Sequence, residues 1–278
     1  MLRIASNLGA VTLAVVCLLS KQAGAQSPKL TLVAASNFAA PEVPFDAVRA
    51  GSPGAIPVFT PAPELPRMSQ ELALATFQER LQQQLAGVPS YSASTVIAVE
   101  LPDTNQRGVF ELRKGFSAPH TLKFMPVHYS GDSFVKSSVI TRLLQQEVTQ
   151  TANGDALKTA LNQQNYKFAF KGLSTLAGRE VYIYQVKPRA KLVGLFKGHI
   201  YLGSQSGALC RAEGELVKSP SFFIKKIQFS SDFAEVSGYT LPVHIHSDAK
   251  TRIIGRAQVD IVNSDYSFAS SGAMIASR

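Results

Sequence analysis

Apolar residues recur along this chain first at helical spacing and then, for most of its length, at strand spacing. Leu74, Phe77, Leu81 and Leu85 stand three or four apart, with Gln78, Glu79, Gln82 and Gln83 between them. That is the stripe of an amphipathic helix. Ser69 is placed to cap it, Glu71 puts a negative charge in its first turn, and Gly87 and Pro89 end it. Residues 92–101, 108–114 and 120–127 follow, alternating as in Val109-Phe110-Glu111-Leu112-Arg113 and Leu122-Lys123-Phe124. Such period-two segments are antiparallel strands with one wet face. A second helix is predicted over 133–150, capped by Asp132, with Val135, Val139, Ile140, Leu143, Leu144 and Val148 on its apolar side. Leu157 and Leu161 suggest a short third helix after Asn153-Gly154.

From Tyr166 onward the pattern is almost all strand: 166–170, 180–186, 195–202, 208–215, 222–233, 240–247 and 252–268. Between them stand turn residues, Ala177-Gly178-Arg179, Gly203-Ser204-Gln205-Ser206-Gly207, Ser230-Ser231-Asp232 and Ser237-Gly238-Tyr239. The class predicted is α+β, a meander long enough that it must curl or close, with two or three helices whose stripes bury against it. Phe222-Phe223 and the Tyr166-to-Phe170 and Tyr182-Ile183-Tyr184 alternations are expected to supply its large apolar faces.

The ends read differently. Arg3 precedes an apolar run over 8–19, and Ala23-Gly24-Ala25 follows Lys21. A basic start, a short apolar middle and a small-x-small exit make a secretory signal, with cleavage expected after Ala25. The run is shorter than the roughly 20 apolar residues of a membrane span, and no later stretch is apolar enough to be one. Cys17 follows Val16 rather than a small residue, against lipid attachment. Residues 26–67 hold Pro41, Pro44, Pro53, Pro57, Pro61, Pro63 and Pro66 and are read as an extended linker. The folded domain is expected over 68–268, with a frayed tail over 269–278.

The chain carries a formal net charge of +9. Arg3 and Lys21 leave with the signal, so the remainder stays basic. The charges are spread along strands rather than massed, which reads first as a solvated basic surface; partners for it outside the cytoplasm are anionic lipid heads or polysaccharides more often than nucleic acid. Cys210 is the one cysteine beyond the signal, which excludes an intramolecular disulfide there.

Motifs for chemistry are few. No Gly-Lys-Ser/Thr phosphate loop occurs, and residues 203–207, the nearest approach to a nucleophile elbow, have Gln205 at the centre. His244 and His246 share a strand face, with His199 and Asp248 as conceivable co-ligands. Without a Cys or acidic cluster beside them they read as two half-exposed histidines on a wet face. Glu213 and Glu215 also share a face, and pairing with Lys187, Arg189, Lys191 or Lys197 accounts for them better than acid–base work. No catalytic residue, metal site or cofactor is assigned.

One order of segments carries a resemblance: Asn165-Tyr166-Lys167-Phe168, Gly178-Arg179-Glu180-Val181-Tyr182, Lys187-Pro188-Arg189, Leu195-Phe196-Lys197-Gly198-His199-Ile200-Tyr201-Leu202, Arg211-Ala212-Glu213-Gly214, Lys218-Ser219-Pro220-Ser221-Phe222 and Gly238-Tyr239-Thr240-Leu241-Pro242. Over residues 166–266 it resembles the outer-membrane lipoprotein-sorting proteins of the LolA-like superfamily; residues 69–150 fit in arrangement. The resemblance implies a curved, half-open antiparallel β-barrel with helices over its concave side. By extension it implies an exported, non-enzymatic carrier of lipid or lipoprotein acyl chains. The superfamily also includes an envelope-stress regulator, so a sensor gripping a partner protein is the second reading, and a hydrolase with an unrecognised site the third. If the helices act as a lid over an apolar hollow, the ligand-facing residues expected from helical period are Leu74, Phe77 and Leu81 on the first helix and Val139, Ile140 and Leu143 on the second.

Overall fold

The structure is a computed structural model that describes residues 66–269, apart from Asp155 and Ser221. The signal segment 1–25, all but the last two residues of the linker 26–67, and the tail beyond Ala269 lie outside the described residues. The first helix, α1, is Gln70–Ala86, with the Ser69 hydroxyl accepting from Leu72 N at 3.2 Å. Strands β1 (Tyr91–Leu101), β2 (Gln106–Ser117) and β3 (Thr121–Gly131) follow, with a 3₁₀ turn, Pro102–Thr104, between the first two. Next come α2 (Ser133–Val135), a π turn (Lys136–Ile140), α3 (Thr141–Asn153) and α4 (Ala156–Thr159). Seven strands complete the chain: β4 (Tyr166–Leu176), β5 (Arg179–Pro188), β6 (Phe196–Gly203), β7 (Leu209–Leu216), β8 (Ile224–Val236), β9 (Tyr239–Thr251) and β10 (Arg256–Phe268).

All ten strands form one antiparallel sheet in the order β3-β2-β1-β10-β9-β8-β7-β6-β5-β4. β3 and β4 are its two edges and do not pair, so the curved sheet is a half-open barrel, as the sequence pattern and the resemblance led us to expect. The helical segment 133–159 runs from one edge strand to the other and covers the concave side.

Strict alternation fixes which side that is. On β1 the residues Tyr91, Ala93, Thr95, Ile97, Val99 and Leu101 are all buried, while the intervening positions are half-buried or exposed. One concave row passes from Phe110 through Ile97, Ile261 and Ile245 to Ser231, Ala212, Ile200 and Tyr184. In the neighbouring row Gly198 and Gly214 face each other across β6 and β7; a Cβ on Gly198 would come 2.0 Å from the Glu213 carbonyl oxygen. The pair lets the two strands bend together where the barrel curls.

Polar bonds hold α1 firmly in place. Gln84 donates to the Thr240 carbonyl at 2.8 Å and accepts from Thr240 N at 3.1 Å, so one buried amide stands in for a strand partner at β9. Tyr182 and Tyr184 donate to the Met68 and Gln70 carbonyls, Gln78 reaches the Leu161 carbonyl at 3.0 Å, and Arg80 pairs with Glu235. Gly207, at φ +64, lies where a Cβ would meet the Ala73 carbonyl oxygen at 2.9 Å. The turn 204–207 therefore packs directly on α1.

Several boundaries differ from expectation. Asp132 makes no capping bond; its carboxylate instead accepts from Arg107 N at 2.9 Å, joining β2 to the start of α2. The second helix is interrupted by a π turn, in which the Thr141 hydroxyl donates to the Lys136 carbonyl at 2.8 Å. Ser230-Ser231-Asp232, expected as a turn, lies inside β8: Ser231 falls in the buried phase of the strand, and a bulge follows at Asp232/Phe233. Phe222, expected to begin a strand and face the core, sits instead in the β7–β8 connection and is exposed. Among the described residues no helix is long and apolar enough to cross a membrane.

Candidate functional site

Between the concave face and the helices lies the space that a lid-and-barrel arrangement would offer to a ligand. Here it is filled. Phe77, Leu81, Val139, Ile140 and Leu143 are all buried in one core with the sheet, and Leu74 packs half-buried against its margin. The structure thus brings the six expected residues into one cluster from two helices. Among the described residues, one cavity of about 20 Å³ lies beside this cluster, room for about one water molecule. Its walls include Leu143, Leu144, Phe124, Ile97, Ile245 and Ile261.

That cavity also touches polar groups that helical and strand periods did not single out. Lys114 on β2 and Glu147 on α3 form an ion pair, their side chains only 11% and 10% exposed. Lys114 occupies the buried phase of β2, following Phe110 and Leu112; Glu147 lies on the buried face of α3 with Leu143, Leu144, Gln150 and Thr151. Nearby, Thr95 donates to the Asn263 side-chain oxygen at 2.8 Å, and Asn263 and Tyr266 both donate to the Pro242 carbonyl. The amide oxygen and nitrogen of Gln150 are buried with no hydrogen-bond partner among the described residues. A buried amide without partners is costly.

Burial alone pushes the Lys114 ammonium down and is the largest single effect on it, but Glu147, with Tyr91 and Tyr266, outweighs it and holds the pKa above the ordinary lysine value. Burial likewise raises the phenols of Tyr166 and Tyr266. It also pushes Tyr184 and Tyr201 up to about 12, with Glu71 adding to the first and Glu213 to the second. For every one of these groups the folded value exceeds the unfolded one. Their contribution is therefore complete below about pH 10, the unfolded range, and is lost as pH rises through the folded values. The melting temperature is expected to fall steeply between about pH 10 and 12; a thermal melt series that stays flat across that window would show that the buried pair and phenols are solvated.

Exposed polar groups sit on the convex face. Asp260 Oδ1 lies 2.9 Å from His246 Nδ1 and 3.3 Å from His244 Nε2. Asp232, 3.9 Å from His244, is already held by Arg211 at 2.6 and 3.0 Å. Asp248, the conceivable co-ligand, pairs with Arg256. Both histidines are half-exposed, and among the described residues no group of three or more His, Cys, Asp or Glu is arranged to hold a metal ion. Glu215 pairs with Lys197 and Lys226 on the neighbouring strands, as expected for such acids, whereas Glu213 accepts from the Tyr201 hydroxyl at 2.7 Å rather than pairing with a lysine or arginine. Cys210 is half-buried, its thiol pushed up by burial.

The architecture is that of a half-open antiparallel barrel closed by helices. The structure is similar, at low TM-scores, to several solved structures. A putative outer membrane lipoprotein-sorting protein domain from Vibrio parahaemolyticus is 11% identical, with a TM-score of 0.39 over 72% of this chain and 94% of that one. A DUF1329 family protein from Desulfovibrio piger is 10% identical, with a TM-score of 0.38 over 72% and 93%. A LolA superfamily protein from Nitrosomonas europaea is 14% identical, with a TM-score of 0.34 over 74% and 97%. No protein-family model matches the sequence, and no curated protein sequence matches it.

Proposed function

We propose that this protein is an exported binding protein whose half-barrel takes up an apolar group, such as a lipid or lipoprotein acyl chain, when α3 swings away from the sheet, the start of α2 staying tied to β2 through Asp132. The observation that carries this reading is the contrast between the two helical covers. α1 is fixed by the bidentate Gln84 bond, two tyrosines and further side-chain bonds. Among the described residues of α3, the other side-chain hydrogen bonds run within the helix, from Thr149 and Thr151, and its polar tie to the sheet is the Lys114–Glu147 pair. The inner face of α3 carries Glu147, Gln150 and Thr151 beside Leu143 and Leu144, a composition suited to a surface that docks and undocks rather than to a permanent core. In the open state Leu74, Phe77, Leu81, Val139, Ile140 and Leu143 would line the hollow. An acyl chain gains about 0.8 kcal/mol per buried CH₂, enough for a long chain to offset the cost of opening. Export follows from the signal segment, with cleavage after Ala25.

Titration with a fluorescent long-chain fatty acid tests the reading. Saturable binding at micromolar concentration is the expected result, and its absence would remove the carrier reading. A second reading, a protein that grips a partner chain, draws on the edge strands: β4 exposes Phe170 and Leu173, and β3 exposes Met125 and Val127. Edge strands with free backbone groups are templates for strand addition. Such a protein would bind no acyl probe.

A further inference from the structure

In an antiparallel meander, alternate connections fall at opposite ends of the sheet. At one end lie the turns 177–178, 204–208 and 237–238, built of Gly, Ser, Ala and Gln. At the other lie the connections β5–β6, β7–β8 and β9–β10, and each presents one large apolar side chain to solvent: Leu192 at 49%, Phe222 at 76% and Ile253 at 64% exposure. These three connections are fastened to one another. Val217 N donates to the Leu195 carbonyl at 3.0 Å, and Arg252 N donates to the Phe223 carbonyl at 2.7 Å. Arg252 Nε donates to the Phe222 carbonyl at 2.9 Å, and the guanidinium stands 4.6 Å from the centre of the Phe222 ring. The tips are therefore held together as one edge.

Charge at this edge is predominantly positive. Residues 187–197, 217–226 and 250–256 contain ten Lys or Arg and no Asp or Glu. The nearby acids are engaged: Glu215 by Lys197 and Lys226, Asp248 by Arg256, and Asp103, on the turn beside the β9–β10 connection, by Arg256 N at 3.3 Å. An open groove of about 550 Å³, bordered by Lys187, Arg189, Lys191, Lys197 and Val217, runs beside the β5–β6 connection.

We propose that this end of the barrel docks on an anionic bilayer surface, with Leu192, Phe222 and Ile253 in the interfacial layer and the surrounding lysines and arginines at phosphate level. Isolated apolar tips separated by cations match an interface that is apolar below and anionic above. An acidic protein surface would call for the charges but not for three protruding apolar tips, and a second copy of this chain would set one basic edge against another. The proposal does not depend on what the hollow holds.

Flotation with vesicles tests it. Binding is expected to vesicles of phosphatidylcholine containing about one third phosphatidylglycerol, and not to phosphatidylcholine alone, and to weaken with salt. Lys191→Gln with Lys218→Gln and Arg252→Gln is expected to weaken it roughly hundredfold, and Phe222→Ser with Ile253→Ser about tenfold or more. The chain contains no Trp, so Phe222→Trp gives a single reporter whose emission should shift to the blue on the anionic vesicles. No binding to the anionic vesicles, equal binding to both compositions, an unshifted tryptophan emission in Phe222→Trp, or tip variants that bind like the parent would each overturn the proposal. So would binding of an acidic polypeptide, or a dimer abolished by Phe222→Ser, in a protein that ignores the vesicles.

Discussion

Glu147→Ala is expected to lower the stability of the folded chain by about 3–5 kcal/mol, because it leaves the Lys114 ammonium uncompensated in the interior. Lys114 projects from the concave face of β2 and Glu147 from the inner face of α3, and each side chain is about nine-tenths buried. Two charges taken out of water attract strongly, but their desolvation consumes much of that attraction. Removing one partner therefore costs more than the pair contributes. The double variant Lys114→Met with Glu147→Leu is accordingly expected to return to within about 1 kcal/mol of the parent, or above it. Denaturant midpoints of the two single variants and the double variant measure this. Single variants costing less than about 1 kcal/mol would place the pair in solvent.

Phe77→Asp is expected to abolish folding. Phe77 is 3% exposed on the face of α1 that also buries Ala73, Leu81 and Leu85. Truncating a buried aromatic costs about 3–5 kcal/mol, and an unpaired carboxylate in its place costs several more. The sum reaches the whole stability of an ordinary domain, about 5–15 kcal/mol. Leu72→Asp, on the exposed face of the same helix, is the control and should change stability by no more than about 0.5 kcal/mol. Circular dichroism of the two variants decides the matter: a native sheet signal in Phe77→Asp would show that α1 is not packed on the barrel.

The fold was legible in the sequence because nearly every strand carries its own period. On β1 the alternation from Tyr91 to Leu101 marks the buried side without reference to any neighbour, and Ser69, Gly87 and Gly178 mark ends by local chemistry alone. Legibility failed where tertiary contacts override local signals. Ser230-Ser231-Asp232 has turn composition, but Arg211 on β7 holds Asp232 in mid-strand. Asp132 stands where a cap belongs, but its carboxylate is used by Arg107. Phe222 looks like core by composition, yet the chain turns before β8 begins and leaves the ring outside.

For the candidate site the apolar positions were readable and the polar ones were overlooked. A signal for Lys114 was present: it keeps step with Gly108, Phe110, Leu112 and Phe116 on the buried phase of β2, and a lysine in that phase needs a partner. Glu147 sits on the same face of α3 as Leu143 and Leu144. Neither residue is conspicuous alone, and the pairing of a strand with a helix about thirty positions later is visible only once the sheet has curled and the helix has crossed it.

Fluorescent fatty-acid titration of the parent protein and of Glu147→Gln tests most directly the proposal that α3 is a latched cover over an acyl site. If binding requires an open state, apparent affinity is set by how much of that state is populated. Glu147→Gln keeps the shape of the side chain and weakens the latch. The less stable variant, at a temperature where both proteins are folded, is expected to bind the probe about tenfold more tightly than the parent. Equal affinities, or no saturable binding by either protein at micromolar concentration, would contradict it.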